Sequence, residues 1–310
     1  MAAIRIARKT KWTRQDIRNN IELYLMLSPI LLLIFIFSYI PLFGLVIAFQ
    51  NYVPGTSFFG SGVQWVGLKH FTDFIESFYF SRIVRNTVVL SLLGLFMGFW
   101  VPIAFSLILN ELSSSRLKKF VQTASYLPHF ISWVVVAGMV LSFINGGFIA
   151  QLVQSLGISA KPINTNPGAF PWVYTLTNIW KNFGWSSILY LSTISSIDPA
   201  LYEAAKVDGA NRWQQITHVT LPFMVPLIII QLIFAIGGLA NSNTELILLL
   251  YNPAIYSTSD VIGTYVYREG LLGGQFSSGT ATGMLLGVIS FVLVYGSNRL
   301  SRRLTNYSLW

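Results

Sequence analysis

Residues 203–222 read Glu-Ala-Ala-Lys-Val-Asp-Gly-Ala-Asn-Arg-Trp-Gln-Gln-Ile-Thr-His-Val-Thr-Leu-Pro, a polar stretch between two long apolar runs. Just upstream, Asp198-Pro199 predicts a helix start, with aspartate as N-cap and proline at the first helical position. Leu201 to Val207 reads as helix, with Glu203 in the early turns where a carboxylate complements the dipole. Gly209 predicts a break, because a residue without Cβ takes up left-handed backbone at no steric cost. Arg212 to His218 predicts a second short helix, and Leu221-Pro222 marks entry into the next apolar run. Ala204, Ala205, Gly209 and Ala210 are small and permit close approach by a partner. The product is a helix–turn–helix suited to rigid docking against something in the water; an ordinary linker seldom combines these features.

The rest of the chain is apolar. Of 310 residues, 54% are hydrophobic and 10% charged, against about 25% charged in a soluble domain. The mean hydropathy is +0.61. This composition predicts an all-α polytopic membrane protein, since lipid admits helices or closed barrels and the apolar runs are continuous rather than alternating. Without cysteine there is no disulfide, thiol nucleophile or cysteine metal site. His70, His129 and His218 are scattered without ligand spacing, so no metal site is expected. No carboxylate pair or Ser/His/Asp set recommends itself for catalysis. The net charge of +9 fits basic loops on one membrane face better than a nucleic-acid surface.

A span needs roughly 20 apolar residues. Six are expected, near 23–49, 84–109, 121–144, 172–196, 219–240 and 280–298, with Pro29 and Pro41 as kinks in the first and Lys181 weakening the fourth. Arg5, Arg8, Lys9, Lys11, Arg14 and Arg18 precede the first span. They fall on one face with Arg116, Lys118 and Lys119, with Lys206 and Arg212, and with Arg299, Arg302 and Arg303. The asymmetry predicts that both termini and residues 203–222 are cytoplasmic. The expected layout is a basic segment at 1–22 and a transmembrane domain at 23–310. That domain has a core at about 83–298 and a cytoplasmic loop at about 197–218.

Glu203-Ala204-Ala205, Gly209, Val219 and Leu221-Pro222 together resemble the signature of permease subunits of type I ABC importers, with Val219 where the family usually has isoleucine. The likeness covers roughly residues 20–310. The resemblance implies the six-helix MetI-like permease fold and a multi-pass protein of the bacterial cell membrane. It implies that 197–218 is the coupling helix loop, which docks on an ATP-binding subunit through Glu203, Ala204, Ala205, Asp208 and Gly209, with Leu221 and Pro222 fixing the exit into span five. No Gly-x-x-x-x-Gly-Lys-Ser/Thr loop occurs in the chain. No cofactor is therefore expected here; ATP and Mg would be bound by two partner ATP-binding cassette subunits.

Asn252-Pro253 and the run Ser259 to Gly270 are similar to the outward loop of the subgroup that imports oligosaccharides and polysaccharide fragments. In that subgroup the chain resembles the MalF-like (LplB-like) half of a permease heterodimer. The resemblance implies a second homologous permease and an extracytoplasmic solute-binding protein as partners. The alternatives are an ABC permease for another small solute and, behind it, a stand-alone secondary transporter, which would show buried ionisable residues beyond Lys181 and an inverted repeat.

Two groups of residues are candidates for a solute path. Asn178, Asn182 and Trp185 share one face of span four. Amides and an aromatic suit a sugar's hydroxyls and apolar face; the same residues also suit interhelical packing and an interfacial belt. Asn241, Ser242, Asn243 and Glu245 crowd the far end of span five, either lining a mouth or ending a helix.

Overall fold

A computed structural model of the chain describes residues 20–60, 62–147, 151–152, 155–157, 162–305 and 307–309. Most of the expected basic segment at 1–22 lies outside the described residues. Among those described, the regular elements are helical, with one isolated antiparallel bridge between Gln50 and Trp65. We number them α1 (Ile21–Phe49), α2 (Lys69–Glu76), α3 (Phe80–Asn110), α4 (Ser115–Phe130), α5 (Trp133–Ile144) and α6 (Phe170–Ser195). Then come α7 (Pro199–Val207), α8 (Arg212–Ala240), α9 (Thr244–Leu250), α10 (262–272) and α11 (Phe276–Thr305).

Four of these, α1, α3, α8 and α11, are long and apolar enough to cross a membrane, and the bent pair α4–α5 makes up to five. At 26 residues, α6 would reach about 39 Å, but Asn178, Lys181 and Asn182 dilute its apolar character. Each expected span thus falls on helix, with two departures. The third, expected at 121–144, is not one rod: α4 and α5 meet at 101°. Pro128 lies in the last turn of α4, Ile131 is extended, and Ser132 caps α5 by accepting the Val135 N–H at 3.4 Å. The fifth span does not begin at Leu221-Pro222. The helix runs unbroken from Arg212 through a π turn at Ile216–Thr220, so the expected separate helix at 212–218 is its first turns. Pro222 has no N–H to give the preceding turn, and a π turn absorbs that loss without ending the helix.

Packing is close where α6 crosses its neighbours. A Cβ at Gly184 would run into the Ser125 carbonyl of α4, and Phe183 meets Phe105 of α3 edge-on at 5.1 Å. One buried cluster, Ile103, Tyr190, Ile194 and Met224, lies toward the α7 end; another, including Leu90, Ala137, Phe170, Leu246 and Ile247, lies toward the opposite end. Most of α1 is exposed in the single chain, which is no penalty where lipid is the solvent.

The 241–275 segment at the end opposite α7 is tied down by a buried aspartate. Asp260 is 0% exposed. Its carboxylate takes two hydrogen bonds from Arg268 at 3.0 and 3.2 Å, one from Arg82 of α3 at 2.9 Å and one from the Thr264 hydroxyl at 2.8 Å. Asn86 of α3 donates to the Asp260 carbonyl at 3.0 Å. Burial acts to lower the Arg268 pKa, but the hydrogen bonds and charges of Asp260 and Glu269 outweigh it and raise that pKa. A buried carboxylate is tolerable only with such partners.

Candidate functional site

Two sites emerge at opposite ends of the bundle. At the first, the α7 element is built from local signals. The Asp198 carboxylate accepts the Ala200 N–H at 2.9 Å, and Pro199 opens the helix. Past Asp208, Gly209 takes φ +80, and the Ala210 N–H closes back on the Ala205 carbonyl at 2.9 Å. This is the left-handed C-terminal stop that glycine favours. Asn211 and Gln214 then form a reciprocal capping box at 2.9 and 2.8 Å that starts α8. The Tyr202 hydroxyl contacts the Thr220 hydroxyl at 2.9 Å, and Arg212 meets Glu111 of the α3–α4 connection at 3.6 Å.

The corner is therefore held rigidly while its outer surface stays open. Glu203, Ala204, Asp208 and Gly209 are exposed, and Ala205 is half-buried. Sequence reasoning left out the apolar part of this surface: Val207 is 88% and Trp213 71% exposed, beside half-exposed Leu201. Three large apolar side chains on a polar corner make an exposed apolar patch of the kind suited to docking. Leu221 and Pro222 sit inside α8, away from the corner.

At the second site, α3, α6, α8 and the 241–243 turn enclose a cavity of about 390 Å³. Asn178, Asn241, Ser242 and Asn243 line it together with Ser91, Tyr174, Phe99 and Leu95. Tyr174 fixes the turn by accepting the Asn243 N–H at 2.9 Å, and Asn243 caps α9 through the Leu246 N–H at 3.2 Å. The Ser91 and Ser242 hydroxyls are buried without a hydrogen-bond partner among the described residues. Such groups are costly unless a ligand or water satisfies them.

The other three candidates are elsewhere. Asn182 donates to Asn178 Oδ1 at 2.9 Å and contacts His129 Nδ1 at 3.2 Å. Trp185 stacks face to face on His129, centroids 4.5 Å apart. Both therefore join α6 to the end of α4 rather than line the cavity. Glu245 is exposed on α9.

The residue that sequence reasoning undervalued is Lys181. It is 4% exposed, and its ammonium donates to the carbonyls of Pro128 at 3.2 Å, His129 at 2.6 Å and Ile131 at 2.6 Å. It also lies 4.9 Å from the Trp133 ring centre. These are carbonyls that the α4–α5 break frees from helical bonding. A lysine inside one apolar run and a Pro-x-x-x-Ser break in another were the available signals; their meeting is tertiary.

The family model described as "Binding-protein-dependent transport system inner membrane component" matches residues 91–306. The chain is 42% identical over 283 residues to the polygalacturonan/rhamnogalacturonan transport system permease protein YteP of Bacillus subtilis (strain 168), covering 91% of this chain and 88% of that protein. It is 36% identical over 290 residues to Protein LplB of the same organism, covering 93% and 91%. Among solved structures it is similar to a chain of a bacterial ABC transporter involved in the import of the acidic polysaccharide alginate, with TM-score 0.84, 42% identity, and 94% and 98% of the two chains covered. A second structure holds the bacterial alginate ABC transporter in complex with an alginate pentasaccharide-bound periplasmic protein; there the TM-score is 0.85 at 41% identity, covering 95% and 99%.

Proposed function

We propose that this chain, which belongs to the family of binding-protein-dependent transport system inner membrane components, forms one transmembrane half of a heterodimeric importer for fragments of an acidic polysaccharide. It is the permease subunit of an ABC importer. The further reading is that a solute-binding protein delivers the fragment, a second permease completes the path, and two ATP-binding subunits drive it from the cytoplasm. The solute class is supported by relatives whose names carry polygalacturonan, rhamnogalacturonan and alginate. The observation that carries it is the cavity: amides of Asn178, Asn241 and Asn243, free hydroxyls of Ser91 and Ser242, and the rings of Tyr174 and Phe99. Amides and hydroxyls pair with sugar hydroxyls, and rings stack on the sugar's apolar face.

The coupling role is supported by the rigid corner with its exposed Glu203, Val207 and Trp213. A partner cleft closing on that corner moves α6 and α8 together, because α7 is joined to both.

The test is a reconstituted four-subunit transporter supplied with binding protein and labelled oligogalacturonide. Asn178→Leu with Asn241→Leu should lower flux at least tenfold while the complex still assembles. Glu203→Lys should abolish both flux and the binding-protein-stimulated ATPase. Unchanged flux in the asparagine double variant removes the path assignment; wild-type ATPase stimulation in Glu203→Lys removes the coupling assignment.

A further inference from the structure

The last two turns of α11 hold a second polar cavity, far from the solute path. It measures about 470 Å³ and is lined by Tyr295, Asn298, Arg299, Arg302 and Arg303. That volume is in the ~300–1,000 Å³ range of ordinary ligand sites. The three arginines stand at i, i+3 and i+4 and so share one face. Among the described residues no carboxylate lines the cavity. Arg299 reaches only the Tyr295 hydroxyl, at 3.4 Å. Arg302 and Arg303 have no side-chain partner among the described residues.

The cavity is a built one. Asn298 is 3% exposed, and its Oδ1 accepts the Leu309 N–H at 2.8 Å. Ser301 donates to the Tyr307 carbonyl at 2.7 Å. Residues 307–309 are thereby folded back against α11 beside the guanidinium groups. The Asn298 amide spends its oxygen on the backbone, and its NH2 is a donor on the cavity wall. The remaining need is thus for acceptors, supplied by something anionic.

Position narrows the choice. The cavity begins where the apolar part of α11 ends: Phe291 and Val292 are exposed apolar residues one turn earlier, and Tyr295 stands between them and the arginines. A tyrosine above a set of arginines is the arrangement of a helix leaving the hydrocarbon at the headgroup level. Basic pockets at that depth fit anionic lipid headgroups, and guanidinium matches phosphate oxygens in pairs. We propose that this cavity is a binding site for the phosphate of an anionic phospholipid headgroup. Arg302 and Arg303 supply the principal contacts, and Asn298 both donates to the headgroup and holds Leu309 in place beside the pocket.

Basic residues at a membrane face also set topology and attract anionic lipid diffusely. The experiment separates these. The detergent-solubilised full-length chain in its complex is titrated with phosphatidylglycerol or phosphatidylcholine, and bound lipid is counted by native mass spectrometry. Phosphatidylglycerol should be retained at least tenfold more tightly than phosphatidylcholine. Arg302→Gln with Arg303→Gln should lower that retention at least tenfold. Asn298→Leu, which changes no charge, should lower it severalfold. Arg302→Lys should keep most of it, which guards against a misfolded double variant. Arg116→Gln, Lys118→Gln and Lys119→Gln together remove more charge from the other basic cluster and should leave retention unchanged. Equal retention of the two lipids, or equal loss in the 116–119 variant, overturns the site. Displacement of the lipid by millimolar inorganic phosphate would overturn the lipid assignment in favour of a soluble anion.

Discussion

Replacing Lys181 by methionine keeps the length and apolar stem of the side chain and removes the ammonium that closes the α4–α5 break. The Pro128 carbonyl retains the Ile131 N–H at 3.2 Å, so the substitution orphans two carbonyls, those of His129 and Ile131. Leaving a buried acceptor unpaired costs ~1–3 kcal/mol, or about 4 kcal/mol for the two. The contact with the Trp133 ring adds about 1 kcal/mol. Against this, a charge no longer has to be desolvated, which returns about 3 kcal/mol. The net expectation is a loss of about 2 kcal/mol, or a midpoint lowered by on the order of 5 °C. The assay is thermal unfolding of the purified complex followed by tryptophan fluorescence, since Trp133 and Trp185 flank the break. Lys181→Arg should fare no better, because a planar fork does not reach three converging carbonyls as a compact ammonium does. A midpoint for Lys181→Met within 1 °C of the parent would refute the reasoning, since it would mean that the two orphaned carbonyls find other partners at no cost.

Two further substitutions probe the ends of the bundle. Gly209 holds φ +80 with open space where a Cβ would stand, so Gly209→Ala meets only backbone strain of ~1–2 kcal/mol. Affinity for the ATP-binding subunit should fall about five- to thirtyfold, and Gly209→Asn should recover most of it; equal binding by all three forms counts against a preset corner. At the other end, Asp260→Asn leaves Arg82 and Arg268 without their carboxylate. Breaking a fully buried pair costs ~3–5 kcal/mol. Because these arginine side chains are 31% and 24% exposed, solvent reduces this to about 2–3 kcal/mol. Hydrogen exchange across 256–272 should rise more than tenfold, and unchanged protection there would show that the aspartate does not anchor the segment.

The α7 corner was legible because every device that shapes it is local. Asp198 and Pro199 cap, Gly209 turns, and Asn211 restarts the helix, all within 14 residues of one another. Composition and apolar length gave the all-helical class in the same way. The cavity was only half legible. Asn178 and Asn241 to Asn243 each stood out as polar groups in apolar surroundings, but what joins them is the Tyr174 hydroxyl reaching the Asn243 N–H across 69 positions, and no periodicity encodes that. Asn182 and Trp185 share the face of Asn178 by spacing, yet they lie a turn or two nearer the break, where His129 occupies them. The break was hidden from hydropathy, which over 121–144 runs straight through Pro128 and Ser132; only the Pro-x-x-x-Ser spacing marked it. Its cause is split between two helices: α4 ends where proline and an extended Ile131 stop it, and the freed carbonyls are met by a lysine some 50 positions later. Read alone, Lys181 is a flaw in a span; read with those carbonyls, it is the partner that lets the chain turn by 101° inside the bundle. The same α6 carries Asn178 into the cavity and leads through Ser196 and Ile197 to the α7 corner. On the proposed coupling role, a push on the corner would act on one helix that both fills the break through Lys181 and forms a wall of the cavity, and so would reach the solute path from the other end of the bundle.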